Sequence, residues 1–484
     1  MALVRLPFTP VPLNAPAGTS TAKKGVLSIV TLGLQGGTRF VSNWLIGRIA
    51  GPLLLGAVAS ATALAFTLNT IWTSSAPSAA SKFIARARGK GDEAELYAVT
   101  RFTAMRVLQV TLLLTPVAPA LWMGLYGGAL WEGLCISAIL IAVATSQYAR
   151  GVHFGAGQVA RGTKIDIISS AIGLTLTLVL LLAGVRNLTL TLPLTATMGV
   201  YALLCWPWTA HGRPEKALRS EIDKFVTFAA IGSIASAGML QISQLVARGL
   251  SEHAGSQYAP ALQLVTPLSI IASALTMVLY PSMSEAHGAG DVERLRRQTD
   301  LAFRSFVAVM VPAFGAMAIA SRPLMHLVWG ERYTDAWVLM PVFCLALMLQ
   351  NVANPAVGSI TSGPHKHMWY SLLLSQAGLV TAIGCWLFMV PWLGLFGVAL
   401  GYACGAALTA VSLIVVVWRM QRQRWTGLMA WVAGSVAVIA GVSWWCQSGP
   451  VNHWLDLGAA ALFGVVWLAP SARFLWRTWR QRSR

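Results

Sequence analysis

The chain has 484 residues, of which 56% are hydrophobic and only 11% are charged, and its mean hydropathy is +0.65. Soluble domains carry about 25% charged residues, so this composition excludes a soluble enzyme and predicts an integral membrane protein. The formal net charge is +19, but the positions of the basic residues argue against a nucleic-acid-binding surface.

The predicted elements begin with a polar, proline-rich segment over residues 1–24, which lacks the features of a signal peptide and is expected to be a disordered cytoplasmic tail. Apolar runs then follow one another along the whole chain. They predict an all-α polytopic membrane protein with about fourteen transmembrane helices. The predicted helices lie near residues 26–47, 52–75, 102–123, 130–149, 165–185, 188–208, 225–248, 258–280, 303–321, 336–358, 369–390, 394–418, 428–446 and 454–470. An even number of spans places both termini on the same side.

The gaps between spans alternate between basic and nearly neutral. Clusters such as Arg86–Lys90 and Arg294–Arg297 follow even-numbered spans, and the C-terminal tail is also basic. The only basic residues in the gaps on the opposite side are Arg48, Arg186, Arg248, Arg322 and Arg332. The positive-inside rule therefore predicts that both termini are cytoplasmic, and the basic excess reflects topology and attraction to lipid headgroups. We expect membrane lipids as partners and no nucleic acid.

Two parts of the chain, about two hundred residues apart, resemble each other. "LIGR" at Leu45–Arg48 matches "LVAR" at Leu245–Arg248, and "GKGDEAELYAVTRF" from Gly89 matches "GAGDVERLRRQTDLAF" from Gly288. Such parallel repeats predict two six-helix lobes related by a pseudo-two-fold axis along the membrane normal. The predicted domains are an N-lobe (25–210, helices 1–6), a cytoplasmic inter-lobe linker (211–224), a C-lobe (225–420, helices 7–12), two extra C-terminal helices (421–472) and a basic cytoplasmic tail (473–484).

Polar residues form a narrow arc on the first predicted helix. Gln35, Arg39 and Asn43 stand four residues apart, and Gln241, Gln244 and Arg248 form a similar arc on the seventh helix. An arginine in mid-membrane costs roughly 2.5–3.5 kcal/mol on insertion scales, so it persists where it faces protein or a water-filled cavity.

These arcs predict a cationic substrate-binding cleft between the lobes, with Arg39, Arg48 and Arg248 as an anion site. The alternative for Arg48 and Arg248 is a structural role, in which the side chains reach the outer headgroups or helix-end carbonyls. The acidic residues cluster at span ends and loops, so no mid-helix carboxylate is expected to face the arginines. A cleft of this sign would attract an acidic substrate and repel a cationic drug.

A second polar cluster lies in the tenth predicted helix. Gln350, Asn351 and Asn354 precede Pro355 and are expected either to join helices or to contact substrate. The chain has no P-loop, HExxH or zinc-ligand pattern. We therefore expect no catalytic residues, no cofactor and no metal, and transport that is downhill or coupled to an ion or voltage gradient.

Four segments resemble the polysaccharide flippases of the multidrug/oligosaccharidyl-lipid/polysaccharide exporter superfamily. They are "GRIAGPLLLGAV" (Gly47–Val58), "VLYPSMSEAHGAGD" (Val278–Asp291), "VPAFGAMAIASRPLMHLVWGERYTDAW" (Val311–Trp337) and "PWLGLFGVALGYACG" (Pro391–Gly405). Each motif is weak alone, but all four occur in the family's order within residues 25–420.

The resemblance implies a transporter in the bacterial plasma (inner) membrane that moves an undecaprenyl-pyrophosphate-linked oligosaccharide outward by alternating access, for surface polysaccharide biosynthesis. Polymerases and glycosyltransferases would then be partners, and Arg39 would hold the pyrophosphate. The alternatives are a lipid II flippase and a multidrug/cation antiporter of the same fold. A polytopic glycosyltransferase or polymerase is disfavoured, because the external gaps are short. The lipid II branch is similar overall and also uses cationic cleft residues, but this chain has Val41 where that branch is expected to have a further first-helix arginine. The drug-exporting branch uses an acidic first-helix residue, which is absent here.

Overall fold

The computed structural model describes residues 21–482 with gaps at 274, 277–282, 284–290, 334 and 362–364. The predicted tail therefore falls outside it except for residues 21–24, which already belong to the first helix. Most of the motif around Pro281 also lies outside the described residues. Every regular element in the described part of the chain is helical, which confirms the all-α prediction.

The chain forms two compact units, which divide after Glu252. The first unit contains α1 (Thr21–Ile49), α2 (Pro52–Thr70), α3 (Ala76–Lys90), α4 (Glu93–Leu114), α5 (Val117–Tyr126), α6 (Leu130–Gly155), α7 (Val159–Leu182), a 3₁₀ turn (Leu188–Thr191), α8 (Leu192–Cys205), α9 (Lys216–Ser233), a π-helical turn (Ile234–Gly238) and α10 (Met239–Leu250). The helix α10 belongs to the first unit through its packing against α2. The predicted lobes on either side of a linker at 211–224 stay a prediction.

The second unit begins within α11 (Glu252–Val265). It continues with α12 (Val292–Ile319), α13 (Ser321–Trp329), α14 (Ala336–Thr361), α15 (His365–Met420), α16 (Thr426–Ser448) and α17 (His453–Arg482). The last helix runs through most of the predicted basic tail at 473–484. The pseudo-two-fold relation between lobes stays a prediction.

Ten helices among the described residues are long and apolar enough to cross a membrane. The stretch Trp369–Met420 within α15 covers two predicted spans. Gly394 divides it, with φ 53° and ψ −127° inside the otherwise helical run. A side chain at this φ is strained, so glycine allows the chain to turn between the two spans. The total of fourteen spans stays a prediction.

The repeated Gly-x-Gly-Asp sequences have the same local structure where the chain is described. Asp92 and Asp291 each precede a helix, and each carboxylate accepts a hydrogen bond from the backbone N–H three residues on, both at 2.8 Å. A side-chain acceptor at this position satisfies one of the free N–H groups of the first turn. The sequence similarity between the two loops therefore corresponds to a shared helix-capping geometry.

The core of the first unit lies where α3, α4 and α6 meet. Phe83, Val99 and Tyr148 are fully buried there. The Tyr148 hydroxyl donates a 2.6 Å hydrogen bond to the Thr100 carbonyl, so α6 is also joined to α4 by a polar contact. At Gly151 any Cβ would collide with the Pro77 backbone, so this glycine sets the close approach of α6 to α3.

Candidate functional site

The polar arc of α1 lies on a helix that packs against α7 and α2. Asn43 is buried, and Gln35 and Arg39 are partly buried. Two hydroxyl contacts fix α1 beside α7: Thr31 meets Thr163 at 2.8 Å, and Thr177 donates to Ser42 at 3.3 Å. The arc is therefore held in a defined orientation by interhelical hydrogen bonds.

Arg39 is stacked on an aromatic ring rather than paired with an acid. Its Cζ lies 4.7 Å from the centroid of the Phe66 ring on α2. A guanidinium in this position gains about 0.5–2 kcal/mol from the ring, depending on desolvation, and keeps its full charge. No carboxylate of the described residues lies within ion-pair distance of Arg39, so its charge remains available to a ligand.

A buried carboxylate, missed by the sequence analysis, lies beside the other end of the arc. Asp166 on α7 is only 1% exposed. Its Oδ1 accepts from Arg150 at 2.6 Å, and its Oδ2 accepts from Gln35 at 3.4 Å. No mid-helix carboxylate is expected to face the arginines, yet an embedded carboxylate contacts Gln35, which stands four residues before Arg39 in the same arc.

The Asp166 charge is nevertheless compensated within this network. Arg150 pairs with it directly and also stacks on Tyr201, with Cζ 4.2 Å from the ring centroid. One acid and one guanidinium cancel, and Gln35 adds only a neutral donor. The pair leaves the positive charge of Arg39 unopposed.

A sequence signal for this pair existed. Arg150 precedes the end of α6 by five residues, and Asp166 follows the start of α7 by seven, so a tight helical hairpin brings them to similar depth. The predicted span 165–185 places Asp166 at its end, whereas α7 begins at Val159 and so carries Asp166 well inside the helix.

The arc on α10 has different neighbours. Gln244 is buried, and its Nε2 donates to the Ser60 hydroxyl of α2 at 3.3 Å. Arg248 forms a 2.6 Å ion pair with Glu252, whose side chain is 70% exposed. Gln241 is partly buried on the same face.

The structure does not bring all predicted cationic residues to one face. Arg48 follows Arg39 by nine residues, which is a rotation of about 180° and a rise of about 13 Å on one continuous helix. Arg48 is exposed. It therefore cannot share the arc of Arg39, and its position fits a side chain that reaches the headgroups.

The two arcs also meet different sides of α2. Phe66 contacts Arg39, and Ser60 contacts Gln244. Six residues separate these positions, which corresponds to a rotation of about 120° and a rise of about 9 Å. Both arcs therefore use α2 as a support without being joined to each other by the described contacts.

The polar cluster of α14 forms bonds within the second unit. The Asn351 amide donates to the Ser269 hydroxyl at 2.9 Å, and Asn354 donates to Asn351 at 3.4 Å. Gln350 accepts from the Tyr402 hydroxyl at 3.1 Å. Of the two roles predicted for these residues, joining helices is the one that these contacts favour.

Comparisons with known proteins agree with this architecture. A family model described as lipid II flippase MurJ matches residues 135–339. A structure titled "Lipid II flippase MurJ, inward closed conformation" superimposes with a TM-score of 0.68 at 12% identity, covering 95% of this chain and 99% of that one. A eukaryotic MATE transporter gives a TM-score of 0.62 at 13% identity, covering 86% and 98%.

The fold is that of the MurJ and MATE transporters. A curated relative from Klebsiella pneumoniae, described as an uncharacterized membrane protein in cps region, is 28% identical over 147 residues. The match covers 30% of this chain and 30% of that relative. The protein is thus a multi-pass membrane protein with the fold of these transporters.

Proposed function

We propose that this protein is a flippase that moves an undecaprenyl-pyrophosphate-linked oligosaccharide across the bacterial plasma membrane by alternating access. The observation that carries the proposal is the Arg39 guanidinium, stacked on Phe66 and without a carboxylate partner in the described part of the chain. A fixed cation in a membrane helix suits a pyrophosphate, because a guanidinium donates paired hydrogen bonds to phosphate oxygens.

Arg39, with Gln35 and Asn43, is the proposed headgroup site on α1. Gln241, Gln244 and Arg248 form a supporting polar arc on α10. Arg48 is expected to contact lipid headgroups instead, and Gln350, Asn351 and Asn354 to hold helices together. The family model that matches residues 135–339 and the relative described as lying in a cps region both fit a substrate carried on a lipid.

Lipid II flipping is a second candidate, since the matching family model is that of lipid II flippase MurJ. Lipid II also presents a pyrophosphate, so Arg39 cannot distinguish the two substrates. A cation antiporter is disfavoured by charge, because the embedded acid Asp166 is already paired with Arg150.

Deletion of the gene in its native host separates these functions. We expect an oligosaccharide on undecaprenyl pyrophosphate to accumulate in the membrane while surface polysaccharide is lost, as measured by mass spectrometry of extracted lipids. Accumulation of lipid II with arrest of wall synthesis would instead assign the second candidate. Unchanged lipid-linked glycans with greater sensitivity to cationic drugs would overturn both.

The proposed orientation places both termini in the cytoplasm. Single cysteines introduced at Lys90 and Arg213, in a background lacking the six native cysteines, should react with an impermeant maleimide only after the cells are opened. A cysteine at Asn187 should react in intact cells and serves as the control. Reaction of Lys90→Cys from outside would reverse the topology.

A further inference from the structure

A second cationic site lies away from the α1 arc, at the polar end of α4. A cavity of about 430 Å³ opens there within the first unit. Its lining includes four arginines and two apolar side chains, namely Arg101, Arg106, Arg213, Arg219, Phe102 and Met105. Nothing in the proposed transport mechanism uses this cavity.

The walls of the cavity are held in place by packing of the segment before α9 on α4. His211 stacks on Tyr97 with centroids 4.7 Å apart, and a Cβ built on Gly212 would lie 3.4 Å from the Ala98 Cβ. The ion pair of Arg106 with Asp223, at 2.9 Å, joins α4 to α9. The cavity is therefore built by three separate contacts.

The charge inside the cavity is strongly positive. Of the four arginines, Arg106 is paired with Asp223, whereas Arg101 and Arg213 are exposed and form no ion pair with the described residues. The Arg219 Nε is buried, and among those residues it has no hydrogen-bond partner. Four guanidinium groups and one carboxylate leave about three positive charges, which is a setting for phosphate.

The apolar outer face of α4, next to the cavity, favours a lipid over a free anion as the ligand. Arg101, Met105 and Leu112 follow one another at helical spacing, so they lie on one side of the helix. Met105 is 50% exposed and Leu112 is 64% exposed. The stripe runs from the cavity along about 16 Å of a helix that can cross the membrane, a length over which an acyl chain can lie.

We propose that this cavity, which we call the α4 cavity, binds the phosphate headgroup of an anionic phospholipid, with one acyl chain along Met105 and Leu112. The site stands independently of the proposed transport function. It places a lipid against the segment that connects α8 to α9, on the side predicted to be cytoplasmic.

Purified full-length protein in detergent micelles can be titrated with dioleoyl-phosphatidylglycerol and read by native mass spectrometry. Replacing Arg101→Gln together with Arg213→Gln should weaken binding about thirtyfold, since each basic residue near the surface contributes about fivefold to anionic lipid affinity. The matched control, Arg88→Gln with Lys224→Gln, removes two exposed charges outside the cavity and should change affinity less than about threefold. Equal weakening in both variants would overturn the site.

Two further measurements separate the lipid from other ligands. Dioleoyl-phosphatidylcholine should bind at least tenfold more weakly than phosphatidylglycerol, and Met105→Gln should weaken phosphatidylglycerol binding while leaving inorganic phosphate binding unchanged. Inorganic phosphate that binds wild-type protein as tightly as the lipid, and displaces it, would overturn the assignment to a lipid headgroup. Measuring Arg39→Ala in the same titration, with no change expected, keeps this result distinct from the transport proposal.

Discussion

The two polar arcs of the first unit look alike in sequence and differ in what neutralises their arginines. Arg39 on α1 stacks on Phe66, and no described carboxylate pairs with it. Arg248, near the end of α10, is paired with Glu252, which begins α11 after the extended residue Ser251. The residue four places after Arg39 is Asn43, which lies in the same continuous helix and carries no charge. The comparison teaches that arcs of similar sequence can differ in whether their arginine has an acidic partner, because the partner of Arg248 lies beyond the end of its own helix.

The largest expected effect follows from replacing the unpaired arginine. Arg39→Ala should lower export of surface polysaccharide more than about thirtyfold, because removing one partner of a desolvated charge pair costs 2–5 kcal/mol or more. Arg39→Lys should retain part of the activity, since an ammonium keeps the charge without the planar fork. Export is measured in a deletion strain at matched membrane levels of each variant.

Arg248→Ala is the control for that experiment. We expect less than about fivefold loss, since the removed group belongs to a pair with an exposed acid. Equal losses at the two positions would show that the arcs act as one site, against the distinction drawn from the structure.

The second expected effect concerns the buried pair beside Gln35. Asp166→Asn should lower the free energy of unfolding in mixed micelles by about 3–5 kcal/mol, because Arg150 would remain buried and uncompensated. The double variant Arg150→Met with Asp166→Leu should recover most of that loss, as it removes both charges together. A stable Asp166→Asn protein that had lost cation transport would instead favour an antiporter.

A smaller effect is expected at the hydrogen bond between α10 and α2. Gln244→Leu should destabilise the protein by about 0.6 kcal/mol, the average measured for interhelical hydrogen bonds in membranes, and by no more than about 1.7 kcal/mol. Gln241→Leu makes the same type of substitution on the same face of α10 and is the matched comparison. A larger loss of stability in Gln241→Leu than in Gln244→Leu would show that the hydrogen bond from Gln244 to Ser60 is not the main polar contact of this face.

The smallest effect belongs to the exposed partner of Arg248. Glu252→Gln should change the free energy of unfolding by less than about 1 kcal/mol, and the change should shrink further as salt is added. The measurement is a pair of unfolding curves at low and high ionic strength. A loss that is large and independent of salt would show that the pair is shielded from water.

Much of the fold was accessible from sequence because hydropathy and local caps act over short distances. Asp92 and Asp291, which occupy the same place in the repeated sequence, cap helices in the same way, and Gly394 separates two spans near the predicted boundary. The unit boundary was not accessible, because α10 joins the first unit through contacts such as Gln244 with Ser60, which are 184 residues apart in the chain.

The candidate site was only partly predictable for a related reason. Helical spacing grouped Gln35, Arg39 and Asn43, and the same spacing should have excluded Arg48, which lies half a turn away. The ion pair between Asp166 and Arg150 depends on how closely α6 packs against α7, and the residue spacing within one helix does not predict that packing. Charge counted along the sequence therefore overstated how much positive charge was left unopposed.

The π-helical turn at Ile234–Gly238 has a consequence for every side chain that follows it. Each residue of a π-helical turn rotates the chain by less than the roughly 100° of a regular α-helix, so this turn sets α10 back by about the rotation of one residue relative to an uninterrupted helix. If the same residues were wound as a regular α-helix, Gln244 would swing away from Ser60 and the whole α10 arc would face a different neighbour. Deletion of one residue from the turn, with a return to regular winding, would instead leave the arc facing α2.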